Sequence, residues 1–274
     1  MISIPIAVHD PYFEWQLDLF WAQHKNLYGD NAYKKAFAVI VKQNFPSDPN
    51  IKSINWDTDI PHQLCKPFFR FCHKLPESIL NTPLNIQLGL RQILHRFKDD
   101  DILEVLDCDM FHMRQHPVIS IPHGELLVCD LYEKWHLRSL TENKFVIKKY
   151  VGDYPQYYNG GFVPIVGTAK TFKLLLQDWI NIHLKILKKH PGNNLFLWWA
   201  GMFALNASCE LNNVKMIAQD HCYIPSVNQL NDSHYVCHYS VDNLFKKREY
   251  PNLNFEDFPD SLFYNLIKTW HVLL

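Results

Sequence analysis

Glycine, net charge and long apolar runs are all scarce in this chain. It has 9 glycines in 274 residues, well below the usual share of about 7%, which excludes Gly-rich repeats and collagen-like folds. Lys and Arg total 27 against 28 Asp and Glu, so no strong positive field attracts polyanions, and we expect no nucleic-acid partner. No stretch approaches the roughly 18 apolar residues that cross a bilayer, so we expect no membrane span.

Cysteine motifs are also missing. The seven cysteines are scattered, odd in number and without a Cys-x-x-Cys pair, so they predict neither a disulfide framework nor a structural zinc site. Residues 1–8 lack the basic lead and the long apolar run of a signal peptide, and we expect them to form a first strand. Together these features predict a cytoplasmic protein with reduced thiols.

The chain does have a hydrophobic content of 47%, enough for a large core, and an alternation of strand and helix patterns. Helical spacing predicts one helix from Phe13 to a stop at Gly29 and another opened by Thr82 and Pro83. Apolar runs predict strands at 4–9, 36–41, 102–106 and, more weakly, 51–56. Strands that alternate with helices predict an α/β fold with a mostly parallel central sheet flanked by helices.

The second half of the chain is less regular. Residues 162–166 predict a strand, and Pro164 within it favours an edge position or a bulge. Thr168 is expected to cap the long amphipathic helix that follows. The remaining apolar patterns predict helices at 195–207 and 261–273 and a strand at 235–239. Because no linker or repeat divides the chain, we expect residues 1–274 to form a single domain.

The clearest chemical feature is the acidic pair Asp107 and Asp109, directly after the strand predicted at 102–106. Ligands of open α/β sheets bind beyond the carboxyl ends of the strands. Two carboxylates two residues apart can converge there on one hard cation, which can bridge the phosphates of a nucleotide. The alternative interpretation is a pair of solvated loop acids.

Three further groups could join such a site, and each also has a plainer explanation. His238, at the end of a predicted strand, can supply a nitrogen ligand that suits manganese, or it is a core histidine. Lys246 and Lys247 can neutralise phosphate oxygens, or they belong to a solvated face. Asn159 and Gly160 can approach a sugar closely, or they form a turn.

Taken in order along the chain, these features resemble a nucleotide-sugar glycosyltransferase of the GT-A type. The closer likeness lies in YFEWQ at 12–16, LDCDM at 106–110, residues 202–204, and the pair His238 and Tyr239. These segments resemble the peptidyl-serine α-galactosyltransferases and hydroxyproline O-arabinosyltransferases of plants, over about residues 8–247. The resemblance implies one GT-A (Rossmann-like) domain with a nucleotide-binding half at 1–110. Residues 111–274 would then form an acceptor half with a C-terminal metal- and phosphate-binding segment.

The same resemblance implies a hexosyl- or pentosyltransferase with a UDP-sugar donor, a hydroxyl acceptor on a glycan or glycoprotein, and Mn²⁺ or Mg²⁺. It implies that Asp109 and His238 ligate the metal and that Asp107 contacts the metal or the ribose of the nucleotide. The remaining implied roles are His9 and Tyr12 in the base pocket, Asn159 and Gly160 near the donor sugar, and Lys246 or Lys247 at the diphosphate.

The stereochemical course of the transfer stays open in the sequence. An inverting enzyme needs a base to deprotonate the acceptor, and the candidates are Asp153, Glu210 and Asp220. A retaining enzyme needs no base of that kind. Gly201 stands where the plant enzymes have an acidic residue. This difference leaves a non-catalytic glycan-binding protein of the same fold as an alternative.

Two other enzyme classes are alternatives. A nucleotidyltransferase that makes NDP-sugars uses similar sheets and acidic ligands, but such enzymes present an early Gly-rich basic loop, and no glycine precedes Gly29. A metal hydrolase would use His112, His116 and His123, of which the first two have the i, i+4 spacing of a zinc pair. Because Pro117 follows and no Glu accompanies them, we interpret these histidines as loop residues beside the acidic pair.

Overall fold

Two β-sheets organise the part of the chain that this computed structural model describes, namely residues 1–8, 11–41, 61–65, 83–129, 148–149, 162–189, 194–224 and 229–238. The strands in these ranges are β1 (Ile2–Val8), β2 (Ala38–Val41), β3 (His62–Cys65), β4 (Ile102–Asp107), β5 (Met110–His112), β6 (Glu125–Cys129), β7 (Phe162–Thr168), β8 (Lys215–Gln219), β9 (Cys222–Tyr223) and β10 (Val236–His238). The helices are α1 (Pro11–Tyr28), α2 (Ala32–Lys35), α3 (Pro83–Ile93), α4 (Ala169–Lys189) and α5 (Asn194–Leu211), with 3₁₀ turns at Gly29–Asn31 and Leu94–Arg96.

The larger sheet has seven strands in the order β3-β2-β1-β4-β7-β6-β8. Neighbouring strands are parallel except at β7, which is antiparallel to both β4 and β6. The predicted α/β class is confirmed, because the central sheet is mostly parallel, is flanked by helices and is compatible with a Rossmann-like fold. Every strand of this sheet except β7 therefore ends at the same side, which we call the carboxyl edge.

Strand β7 confirms the expectation that Pro164 marks either an edge position or a bulge. β7 is not an edge strand, because it lies between β4 and β6. The predicted bulge is present, since the register of β6 against β7 jumps from Val128–Ile165 to Cys129–Phe162. Pro164 lies in the skipped stretch, so its missing N–H falls where the hydrogen-bond ladder is already interrupted.

Helix boundaries follow the capping residues that the sequence provides. α1 ends before Gly29, whose φ of 53° is a left-handed conformation that glycine adopts without steric cost. The Oγ1 of Thr168 accepts a hydrogen bond from the N–H of Thr171 at 3.2 Å and so caps α4. The predicted inward face of α4 is buried, at Phe172, Leu175, Leu176, Trp179, Ile182 and Ile186.

Helices cover both faces of the larger sheet. Ser3 of β1 pairs in register with Glu104 of β4, so their side chains share one face. α1 lies on that face, since its His24 is beside the histidines that surround Glu104. α3 lies on the other face, where its Gly89 packs against Val39 of β2.

Some expectations fall outside the described residues, namely the weak strand at 51–56, the cap at Thr82 and the terminal helix at 261–273. Six of the seven cysteines are described; all six are buried and none is in a disulfide, as expected. Among the described helices, none combines the length and the apolar character that crossing a membrane requires.

The close approach at Gly89 gives a packing prediction. A Cβ at this position would lie 2.5 Å from Cγ1 of Val39, which is fully buried. We expect Gly89→Ala to lower the free energy of unfolding by up to about 2 kcal/mol, because overpacking costs about 1–3 kcal/mol and alanine in a helix recovers only ~1 kcal/mol of this. Urea unfolding measures the change. The exposed neighbour Arg91 provides the control, since Arg91→Ala should change the free energy of unfolding by less than about 0.5 kcal/mol. A more stable Gly89→Ala variant would contradict this packing.

Candidate functional site

The acidic pair lies at the end of strand β4, at the carboxyl edge of the larger sheet. β4 ends at Asp107, and Cys108 and Asp109 form a turn that leads into β5. Asp107 lies across from Ile6 of β1, so the pair is next to the carboxyl end of a neighbouring parallel strand. This is the region where ligands of open α/β sheets bind.

The smaller sheet brings His238 to the same place. Its strand order is β5-β10-β9, and β10 is antiparallel to β5 with His238 opposite Met110. Because Met110 directly follows Asp109, Nε2 of His238 comes to 3.3 Å from Oδ1 of Asp109. One ligand atom from each of Asp107, Asp109 and His238 lies within 4.8 Å of the other two. The structure thus gathers all three residues that the sequence suggested as metal ligands.

The chemistry of this group suits a divalent cation. Asp107 is 5% exposed, and the side chains of Asp109 and His238 are 18% and 12% exposed, so the donors are largely desolvated but solvent still reaches two of them. Two carboxylates held this close repel each other unless a cation lies between them. Carboxylate oxygens with one imidazole are donors that Mn²⁺ accepts, and Mg²⁺ also prefers oxygen ligands. The residues present therefore fit the implied metal.

The beginning of α1 contacts the acidic turn. The thiol of Cys108 donates a hydrogen bond to Oε1 of Gln16 at 3.7 Å. Gln16 closes the YFEWQ segment, so two of the segments that carry the family resemblance meet in space. Tyr12, suggested for the base pocket, lies in the first turn of α1, which begins three residues after β1 ends at the carboxyl edge.

Two of the three candidate bases lie within the described residues, at opposite edges of the sheet. Asp220 follows β8 at the carboxyl edge, where its Oδ1 is 2.7 Å from Nε2 of the buried His234 and its Oδ2 accepts a hydrogen bond from Asn231. Glu210 lies at the end of α5, ahead of the amino end of β8 and hence at the opposite edge. Burial raises the pKa of Glu210. Of the two described candidates, Asp220 is therefore the one that shares an edge with the acidic pair, and its carboxylate already has hydrogen-bond partners.

Several suggested site residues lie outside the described part of the chain: His9, Asp153, Asn159, Gly160, Lys246 and Lys247. Gly201, where the resemblance implies an acidic residue, is buried in α5. Its carbonyl oxygen accepts a 2.8 Å hydrogen bond from the indole N–H of Trp179 in α4. Gly201 is thus part of the packed contact between these two helices.

A second group of metal-ligating side chains lies on the α1 face of the sheet. Oε2 of Glu104 is 2.7 Å from Nε2 of His112 and 3.1 Å from Nε2 of His116, and the two Nε2 atoms are 3.0 Å apart. Oγ of Ser3 donates to the same oxygen at 3.0 Å. The interpretation of these histidines as loop residues is confirmed for His116, which follows β5, and is wrong for His112, which is on β5. The expectation that no glutamate accompanies them is wrong, because Glu104 of β4 contacts both. His123, by contrast, contacts Asp100 and Thr168.

Burial and mutual charge set the protonation of this second group. Burial raises the pKa of Glu104, but the charges of His112 and His116 and their hydrogen bonds outweigh it and hold the pKa well below its usual range. Burial lowers the pKa of His116. Burial, followed by the charges of His112 and His116, lowers the pKa of the adjacent His24 to about 3. Burial and then the charge of Glu104 raise the pKa of Tyr235, whose ring stacks on His112.

The sequence contains one signal for this second group, which is Glu104 itself. It is the charged residue inside an otherwise apolar strand, and the structure buries it completely. A carboxylate at such a position needs compensating partners, and the histidines at 112 and 116 are the side chains that lie beside it. Strand periodicity alone does not indicate which distant side chains meet there.

A comparison with models of known protein families finds no match, and a comparison with curated protein sequences finds none either. The arrangement of the acidic pair and its partners is thus the basis for assigning a function.

Proposed function

We propose that the chain is a metal-dependent glycosyltransferase of the GT-A type. It would transfer a sugar from a nucleotide diphosphate, with a UDP-sugar as the expected donor, to a hydroxyl group of a glycan or glycoprotein. The observation that carries this proposal is the convergence of Asp107, Asp109 and His238 at the carboxyl edge of a mostly parallel sheet. The contact between Cys108 and Gln16 supports it, because it joins two segments of the resemblance.

The three ligand candidates come from separate parts of the fold, and each is held in a different way. Asp107 is fixed by the end of β4, Asp109 by the turn into β5, and His238 by the pairing of β10 with β5. A bound Mn²⁺ or Mg²⁺ supplies positive charge that stabilises a leaving diphosphate. The role of the protein is to hold the two carboxylates and the imidazole in place before the donor arrives, so that little reorganisation is needed during the reaction.

The course at the anomeric carbon depends on which base, if any, is available. For inversion, Asp220 is the better placed of the two described candidates, because it lies at the carboxyl edge together with Asp107. The N–H of Asn231 donates to Nδ1 of His234, so Nε2 of this imidazole carries the proton and would orient Asp220 by donating a hydrogen bond to it. A large fall in kcat for Asp220→Asn would support inversion with Asp220 as the base, whereas an unchanged kcat would exclude Asp220 from that role.

Manganese-dependent thermal stabilisation by a panel of UDP- and GDP-sugars tests the proposal. A donor present at one hundred times its Kd adds about 2.7 kcal/mol to the stability of the native state, or about 5–10 °C in Tm for a chain of this size. We expect this shift for one or a few UDP-sugars and only with Mn²⁺ or Mg²⁺. His238→Gln should lose most of it, whereas His123→Gln, at a partly exposed histidine outside both metal-ligating groups, should keep it.

Three results would count against glycosyl transfer. An equal increase in Tm in the presence of a chelator would show that donor binding does not require a metal ion at Asp107, Asp109 and His238. Release of pyrophosphate from a nucleoside triphosphate and a sugar phosphate would indicate a nucleotidyltransferase. The absence of a shift with every donor would favour a glycan-binding protein without catalytic activity.

A further inference from the structure

The group around Glu104 has the dimensions of a metal site. Its three ligand atoms, Oε2 of Glu104 and Nε2 of His112 and His116, form a triangle with sides of 2.7, 3.1 and 3.0 Å. An ion about 2.1 Å from each atom, the usual zinc–ligand distance, fits this triangle. Tetrahedral coordination at that distance has edges of about 3.4 Å. The sides would therefore lengthen by only about 0.3–0.7 Å.

The charge of Glu104 also needs a cation. The side chains of Glu104 and His112 are fully buried, and that of His116 is 4% exposed. An ionised carboxylate in such a place is costly unless a positive charge compensates it. Two candidates are a protonated imidazole and a metal ion. A metal ion binds neutral imidazoles, so it would compensate the carboxylate without a proton on either histidine.

We propose that Glu104, His112 and His116 bind one transition-metal ion, with Zn²⁺ as the expected occupant. Two imidazoles and one carboxylate are a common donor set for zinc. Imidazole-rich sites favour Zn²⁺ over Mn²⁺, whereas the oxygen-rich group at Asp107 and Asp109 favours Mn²⁺ or Mg²⁺. The chain would thus carry two sites of different selectivity.

The surroundings indicate a structural ion. Ser3, with Oγ 3.0 Å from Oε2 of Glu104 and 2.8 Å from Nε2 of His116, is placed to complete the coordination. Ser3, Glu104 and His112 are each 0% exposed, so the site is closed to a substrate, as structural zinc sites are. The ion would join β1, β4, β5 and the segment after β5.

The two sites are adjacent but separate. Glu104 and Asp107 are three residues apart on β4, which places their Cα atoms about 10 Å apart with side chains on opposite faces of the sheet. His112 and Met110 share β5, and Met110 is opposite His238. An ion at His112 would therefore steady the strand that positions the acidic pair without sharing a ligand with it.

Metal content of the purified full-length chain tests the inference. We expect about one Zn²⁺ per chain in the wild type after exposure to equimolar zinc and gel filtration. His116→Gln should hold almost none, with a Kd for Zn²⁺ at least about 100-fold weaker. His123→Gln controls for loss of a histidine elsewhere. His238→Gln should lose manganese binding and keep zinc, so failure of the proposed function would leave this result intact.

Three outcomes would overturn the inference: a wild-type chain that takes up no zinc, a His116→Gln variant that keeps it, or a His238→Gln variant that loses it. The first would identify the group as a charged histidine–glutamate pair without metal. Circular dichroism shows whether His116→Gln and Glu104→Gln fold. If they do not, X-ray absorption of the zinc-loaded wild type identifies the ligands of the ion. Two imidazoles in the zinc shell agree with the inference, and a single imidazole, as at His238, contradicts it.

Discussion

Asp109→Asn should lower kcat/KM of metal-dependent sugar transfer by at least about 10³-fold. Asparagine keeps the size of the side chain but removes the negative charge that a divalent cation needs from this ligand. Loss of charge stabilisation by a metal amounts to several kcal/mol, and each 1.36 kcal/mol corresponds to a factor of ten in rate. Because the Asp109 side chain is 18% exposed, the fold should tolerate the change.

Release of UDP from the donor identified by thermal stabilisation, measured over a range of Mn²⁺ concentrations, gives the rate. Asp30→Asn is the matched control, since Asp30 is exposed and lies in the turn after α1, and it should retain wild-type activity. An Asp109→Asn enzyme within tenfold of wild type, or a wild-type enzyme that resists chelation, would exclude the acidic pair as the metal ligands.

The wild-type protein should lose about 2.3 kcal/mol of stability between pH 6.5 and pH 4.5 through His183 alone. His183 of α4 is buried, and its Nδ1 lies 2.8 Å from Nε2 of Gln87 in α3. The amide nitrogen can only donate, so Nδ1 accepts and the imidazole is neutral. Burial lowers the pKa of His183 from 6.5 to about 3. The unfolded chain therefore binds the proton first, and stability falls by about 1.4 kcal/mol per unit as the pH drops from 6.5 towards 3.

Urea unfolding at a series of pH values separates this contribution from those of other buried histidines. His183→Asn places an oxygen near the position of Nδ1, so it keeps an acceptor for Gln87 but cannot titrate in this range. As the pH drops, the stability of this variant should fall less steeply than that of the wild type. The two slopes should differ by about 1.4 kcal/mol per pH unit. Gln87→Met removes the donor and keeps the imidazole, so it should be less stable but retain the wild-type slope. If the free energy of unfolding depends equally on pH in the wild type and in His183→Asn, His183 has the same pKa in the folded and unfolded chain. That result would contradict the prediction.

The parallel sheet and the acidic pair could be predicted from local pattern, because each depends on neighbours in the chain. The apolar run before Asp107 identifies a buried strand, and the end of a strand in an α/β sheet fixes which edge the acids reach. The helix boundaries at Gly29 and Thr168 were equally local, since one residue supplies each cap. Pro164 left the position of its strand open, because a bulge satisfies the same requirement as an edge.

The contacts made by the smaller sheet could not be predicted from local sequence pattern. β5 has three residues, too few to show a period, and its pairing with β10 is antiparallel across a long separation in sequence. The resemblance associated His238 with the acidic pair, but only the register of these strands explains why they meet. The histidines at 112 and 116 were misread for the same reason, because their glutamate lies on a neighbouring strand rather than on a shared helix.

The pairing of β5 with β10 also sets an order of events during synthesis. Asp109 precedes His238 by about 130 residues, so a ribosome that adds about 5–20 residues per second releases the two about 6–26 s apart. During that interval β5 has an open backbone edge where β10 will later bind, and such edges invite pairing with other chains. A nascent chain stalled before residue 236 should therefore aggregate or recruit chaperones more readily than one stalled well after residue 238.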